Sequence, residues 1–127
     1  MGHGGFVTAI NCMDGRVQQP VFDYMSREYG MPYVDMITEP GPIKILEEQD
    51  SAELVESIRA RLDVSVRGHG SSVIAVVGHY DCTGNPVDRE TQFRQTAASI
   101  ELIKTWGFDA ELIGLWVNEE WNAERVI

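Results

Sequence analysis

The chain predicts an α/β fold, with a mainly parallel central sheet and helices on its faces. Two observations carry this. Strand-like apolar runs alternate with segments of helical periodicity in the order βαβαβαβ, and strands separated by helices join in parallel. One run, Val73-Ile-Ala-Val-Val77, is unbroken and largely β-branched, the pattern of a strand buried on both faces.

The first expected strand, Phe6–Asn11, ends at Cys12-Met-Asp-Gly-Arg16, where Gly15 permits a sharp turn. Val17 to Tyr29 reads as a helix with Val21, Phe22, Met25 and Tyr29 on one face. Gly30 and Pro32 stop it. Tyr33–Thr38 is a second strand, and Glu39-Pro-Gly-Pro42 a rigid turn. Asp50 or Ser51 caps a helix to about Arg67, carrying Leu54, Ile58 and Leu62, and Gly68-His-Gly70 ends it. After Val73–Val77 comes Gly78-His-Tyr-Asp-Cys-Thr-Gly84. Asp88 opens a helix to about Trp106 with Phe93, Ala97, Ile100 and Ile103 inward, and Gly107 closes it. Glu111–Val117 is the last strand, followed by a short tail without a clear pattern.

With 127 residues, 43% of them hydrophobic, the chain fits one domain over residues 1–127 with a real core. No apolar run reaches the roughly 18 residues that a membrane span needs. The start, Met1-Gly-His-Gly-Gly5, leads straight into a strand without a basic region before a long apolar run; this argues against a signal peptide and for the cytoplasm. Twenty acidic residues against ten basic ones give a formal charge of −10. That field repels a polyanion and argues against nucleic acid as a partner.

Two cysteines are present and they do not form a CxxC pair, so a thioredoxin-like redox role is weak. His79-x-x-Cys82 sits on a loop leaving a strand, and Cys12 lies 67 positions earlier (79 − 12). If the first and third strands are neighbours, all three reach one ion beyond the carboxyl ends of the strands, where functional groups gather in such sheets. Thiolate and imidazole suit zinc, and three protein ligands leave a fourth position for water, the catalytic arrangement. The plainer reading is that each cysteine is a small buried hydrophobe and His79 a satisfied polar residue; spacing alone leaves both open. His3 and His69 are the other imidazoles, outside any ligand-like spacing. Asp14 and Arg16 follow Cys12 at i+2 and i+4. Asp14 either binds the metal or pairs with the planar fork of Arg16; an ordinary surface ion pair is the bland alternative.

Cys12-x-Asp14-x-Arg16 followed by Gly78-His79-x-x-Cys82 resembles the signature of the β-class carbonic anhydrases, including the strand before each motif and their separation. Glu111-Leu-Ile-Gly-Leu-Trp-Val117 resembles that family's last core strand. The resemblance implies a β-carbonic-anhydrase-like fold, zinc (Zn2+) on Cys12, His79 and Cys82, and Asp14 and Arg16 as a dyad orienting the fourth ligand. The activity it implies is reversible hydration of carbon dioxide to bicarbonate by zinc-bound hydroxide, in a homodimer or larger homo-oligomer. The chain departs from the family in having eleven residues before Cys12, Thr38-Glu-Pro-Gly-Pro42 in place of an Arg-Asn-Ala-Gly-Asn run, and Thr83 where a glycine is usual. Two alternatives use the same site: hydrolysis of carbon disulfide or carbonyl sulfide, and a non-catalytic zinc protein with Asp14 as fourth ligand. A cysteine phosphatase is disfavoured, because Asp14 between Cys12 and Arg16 would repel phosphate. His69 is a proton relay only if the fold brings it near.

Overall fold

The computed structural model describes residues 4–127; Met1, Gly2 and His3 lie outside the described residues. Four parallel strands alternate with helices, as the sequence predicts. They are β1 (Phe6–Cys12), β2 (Tyr33–Glu39), β3 (Val73–His79) and β4 (Glu111–Val117). A short β5 (Ala123–Arg125) runs antiparallel to β4, giving the order β2-β1-β3-β4-β5. The first and third strands are therefore neighbours, with Thr8, Ala9 and Ile10 facing Ile74, Ala75 and Val76.

Local chemistry sets the helix ends. Helix α1 (Gly15–Tyr29) starts where the Asp14 carboxylate accepts from the Arg16 N–H, and it stops at Gly30, whose φ of 63° suits glycine. Helix α3 (Ala52–Asp63) is capped by Ser51, and α4 (Arg89–Lys104) by Asp88. The expected extension of α3 to about Arg67 is made by a π-helical turn over Val64–Gly68.

Alternation along β3 divides the core. Val73, Ala75 and Val77 face α1, where Val17, Val21 and Met25 are buried with Val7, Ala9 and Leu115. Ile74 and Val76 face the other layer, with Ile10, Ile43, Leu46, Ile58, Leu62, Ile100 and Ile103. Every residue of β3 is buried, as a strand covered on both faces requires.

Several expectations change. Phe22, Leu54 and Ala97 were expected to face inward but are exposed. The α4 face against the sheet is largely polar instead, with Gln92, Gln95, Thr96 and Ser99 buried beside Ile100 and Ile103. Residues expected as turn and connector form a further helix, α2 (Pro42–Glu48), which places Pro42, Ile43 and Leu46 in the core. Gly41 opens it with φ of 65° and packs against the loop after β3: a Cβ on Gly41 would meet Asn85 Cβ at 2.9 Å, and one on Gly84 would meet the Pro40 carbonyl carbon at 2.8 Å. The loops after β2 and β3 thus touch at two glycines, close to the carboxyl ends of the strands. The tail forms β5 by pairing Ala123, Glu124 and Arg125 with Val117, Trp116 and Leu115, and Val126 N–H to Gly114 O at 2.9 Å continues the contact.

Candidate metal centre

The β1–β3 ladder extends only as far as Ile10 and Val76, whereas β3 stays paired with β4 to His79 and Val117. Beyond Ile10 and Val76 the two inner strands part, and the crevice holds Cys12, His79 and Cys82. Each is buried, and one ligand atom from each lies within 4.8 Å of the others. The two sulfurs are 3.9 Å apart. Two thiolates on one tetrahedral zinc ion, each at about 2.3 Å, stand about 3.8 Å apart. His79 Nδ1 lies 2.7 Å from the Tyr80 carbonyl, an acceptor, so Nδ1 donates there and Nε2 is the ring nitrogen left to offer a lone pair to a metal. His79 Nε2 is buried without a hydrogen-bond partner. An unpartnered buried nitrogen is costly, and its lone pair beside two sulfurs completes a donor set able to hold a metal.

Two glutamines hold this set in place. Gln92 reaches from α4 and accepts from the His79 N–H at 3.0 Å while donating to the His79 carbonyl at 2.9 Å. Its carboxamide replaces the strand partner that His79 loses where β1 departs. Gln18, on the first turn of α1, donates to the carbonyls of Cys12 at 2.7 Å and Asp14 at 2.9 Å.

The site favours a thiolate. The Cys82 thiol beside it is the largest influence on Cys12, which is lowered to about 4; His79 and the backbone N–H groups of Gly41 and Asp14 act in the same direction against burial. Cys82 is pushed up by the negative Cys12 and by burial. Metal binding to thiols releases their protons, so a lowered Cys12 favours a cation at this site.

Asp14 stands outside the cluster of three. Its carboxylate takes Arg16 Nη2 at 2.7 Å and Nε at 3.1 Å, a two-pronged pair. Arg16 also donates from Nη1 to Asp81 Oδ2 and from Nη2 to the Asp81 carbonyl, both at 3.2 Å. Of the two alternatives for Asp14, the structure holds the ion pair.

His69 is at the other end of the sheet. Its ring stacks on Phe6 at 4.3 Å, and Nδ1 meets Asp35 at 2.7 Å. Phe6 and Cys12 are the two ends of β1, roughly 20 Å apart in an extended strand, so His69 is no relay for this site. It belongs to a polar network in which Ser65 donates to Asp35 and meets buried Thr8. Trp116 is buried in the core, whereas Trp121 is half-buried and lies under Arg16 with its ring centre 4.3 Å from the guanidinium carbon.

Gln18 and Gln92 did not stand out as site residues in the sequence, whereas Asp81, between His79 and Cys82, reads there as either lining the site or an exposed spacer. One signal was present: Gln92, Gln95, Thr96 and Ser99 recur at helical spacing, a polar stripe on the face that packs inward.

The fold is an α/β sheet whose crevice carries a Cys-His-Cys set able to hold a metal. The chain is similar to the crystal structure of the b-carbonic anhydrase CafA of the fungal pathogen Aspergillus fumigatus, with a TM-score of 0.53 and 13% identity, over 98% of this chain and 76% of that one. At that identity the likeness speaks for the fold. A family model described as "Putative carbonic anhydrase" matches residues 2–127, so the chain belongs to this carbonic anhydrase family. No curated protein sequence matches it. Among the described residues no helix is long and apolar enough to cross a membrane.

The Arg16 guanidinium holds the Asp14 carboxyl at about 2, below its ordinary value. A depressed carboxyl stabilises the fold fully above the ordinary carboxylate range and loses that contribution as pH falls through the folded value. A carbon-detected NMR titration of the metal-free protein should place the Asp14 midpoint at about 2. Arg16→Ala should return it towards about 3.9; an unchanged midpoint would dissociate the two residues.

Proposed function

We propose that this protein is a zinc-dependent lyase that interconverts carbon dioxide and bicarbonate. One observation carries the reading: the lone pair of a buried, unpartnered His79 Nε2 stands beside two sulfurs 3.9 Å apart. Family membership supports the reaction class. When bound there, zinc supplies Lewis acidity that brings water to ionise near neutral pH, giving a nucleophile for carbon dioxide.

In this reading Cys12, Cys82 and His79 hold the ion and leave one position open. Nδ1–H bonding to Tyr80 O fixes the imidazole tautomer and its aim, as an outer hydrogen bond does for a ligating histidine. Asp14, ionised throughout the neutral range, has only acceptor oxygens and orients the attacking water by taking its proton as a hydrogen bond. Arg16 keeps that carboxylate turned and charged. Burial of Cys12, His79 and Cys82 excludes bulk water from the donors and strengthens their hold on a cation.

Stopped-flow hydration of carbon dioxide over pH 6.5–9, with metal analysis on the same sample, tests the proposal; the pH span is roughly the range about a zinc-water pKa near 7. The expected result is about one zinc per chain and activity that rises with pH. Cys82→Ser should lose most of the metal. Asp14→Ala should keep it and lose about 10²–10³ in rate, the usual cost of a positioned polar group. A zinc-replete wild type inactive at every pH would reject the reaction.

A homo-oligomer belongs to the same proposal, since β2 ends the sheet with Tyr33 exposed and an open strand edge invites pairing. Light scattering should report a multiple of 14.2 kDa; a particle of that mass alone would contradict it.

A further inference from the structure

Arg16 is held by more than its dyad partner. Nε and Nη2 take Asp14, Nη1 and Nη2 take Asp81, and one face of the guanidinium lies 4.3 Å above the Trp121 ring. All three nitrogens and a face are engaged at once. Both outer partners have left-handed backbone, with φ of 58° at Asp81 and 61° at Trp121. An aromatic residue rarely adopts that conformation, and such outliers persist only where the surroundings over-determine them. Here Asn118 does so. Its side-chain oxygen accepts from the N–H groups of Glu120 and Asn122, and its carbonyl accepts from the Trp121 N–H at 2.9 Å. Tyr80 meets the same ring edge-on at 6.3 Å. The turn after β4 therefore has one evident product, an indole face laid against Arg16.

We propose that Asp81 and Trp121 are positioning residues that clamp Arg16 onto Asp14 and so keep the Asp14 carboxylate off the three metal ligands. The inference rests on the reading of Cys12, His79 and Cys82 as ligands. Asp14 has two competing partners, the guanidinium and a cation at that site, and each contact that fixes Arg16 favours the first. Asp81 is the residue just before Cys82, and Trp121 follows β4, the strand paired with His79. The clamp therefore ties the guanidinium to the loop that carries Cys82 and to the turn after the strand paired with His79.

Release of zinc from the loaded full-length chain to a colorimetric chelator tests this without reference to activity. Trp121→Gly removes the ring and suits the left-handed backbone, so the turn is retained. Trp121→Phe keeps an aromatic face. With Arg16 loosened, Asp14 becomes a fourth ligand for part of the time and zinc leaves more slowly. The expected slowing is about two- to fivefold for Trp121→Gly, the scale of an exposed cation–π contact. Asp81→Asn should slow release by about twofold, as for an exposed ion pair, and Trp121→Phe should restore release close to wild type. In an Asp14→Ala background Trp121→Gly should have no effect. Where the wild type hydrates carbon dioxide, kcat should fall by the same factor with KM unchanged. A wild type without hydration activity would reject the proposed reaction, yet the release rates would still decide the clamp. Release that is unchanged, or faster in both backgrounds, would overturn the clamp, faster release marking a merely structural Trp121.

Discussion

The parting of β1 from β3 beyond Ile10 and Val76 is the constraint on which the site depends. The order β2-β1-β3-β4 places the chain's first crossover on one side of β1 and its later ones on the other. In open α/β sheets that reversal leaves a crevice beyond the carboxyl ends of the two inner strands. Cys12 ends one of those strands and His79 the other, and Cys82 lies three residues further along. A sheet with β1 and β3 apart would leave the same three residues on separate edges.

A crevice between strands strands backbone groups as well as making room, and the chain answers with side-chain amides. Gln92 takes both backbone groups of His79, and Gln18 takes the Cys12 and Asp14 carbonyls. Buried polar groups demand such partners. Asn11 Oδ1, Tyr29 Oη and His79 Nε2 are left without one, and His79 is the one of these that is grouped with the two cysteine sulfurs. Outside the crevice the order is reversed: Arg16 has more partners than an exposed arginine needs. Asp14 is held by that guanidinium, and in the proposed reading its carboxylate chooses between arginine and metal.

Most of the sheet was legible in the sequence because its strands are apolar runs bounded by glycine and polar turns. Val73–Val77 and Ile113–Val117 are buried as the pattern requires, and the ligand-type residues sit directly after such runs. Helix α2 was hidden because Pro40, Gly41 and Pro42 read as a turn, although proline is favoured at the first helical position and Ile43 and Leu46 are at helical spacing. The inward face of α4 was misread at Ala97 because apolar residues were sought there, whereas Gln92, Gln95, Thr96 and Ser99 meet buried partners such as Asn85 and the Ile43 carbonyl. Strand β5 is three residues long and depends on pairing with β4, a tertiary cause with no local pattern. Asp14 and Arg16 were legible as a pair, but their two possible states share one sequence, and only the geometry chooses the ion pair.

The central claim is that the parting strands build one tetrahedral site from two sulfurs and one nitrogen with an open fourth position. X-ray absorption at the zinc edge of the purified protein tests it most directly. The account predicts two sulfurs at about 2.3 Å, one nitrogen at about 2.0–2.1 Å and a light fourth scatterer. A first shell without sulfur, on protein that retains its zinc, would contradict it.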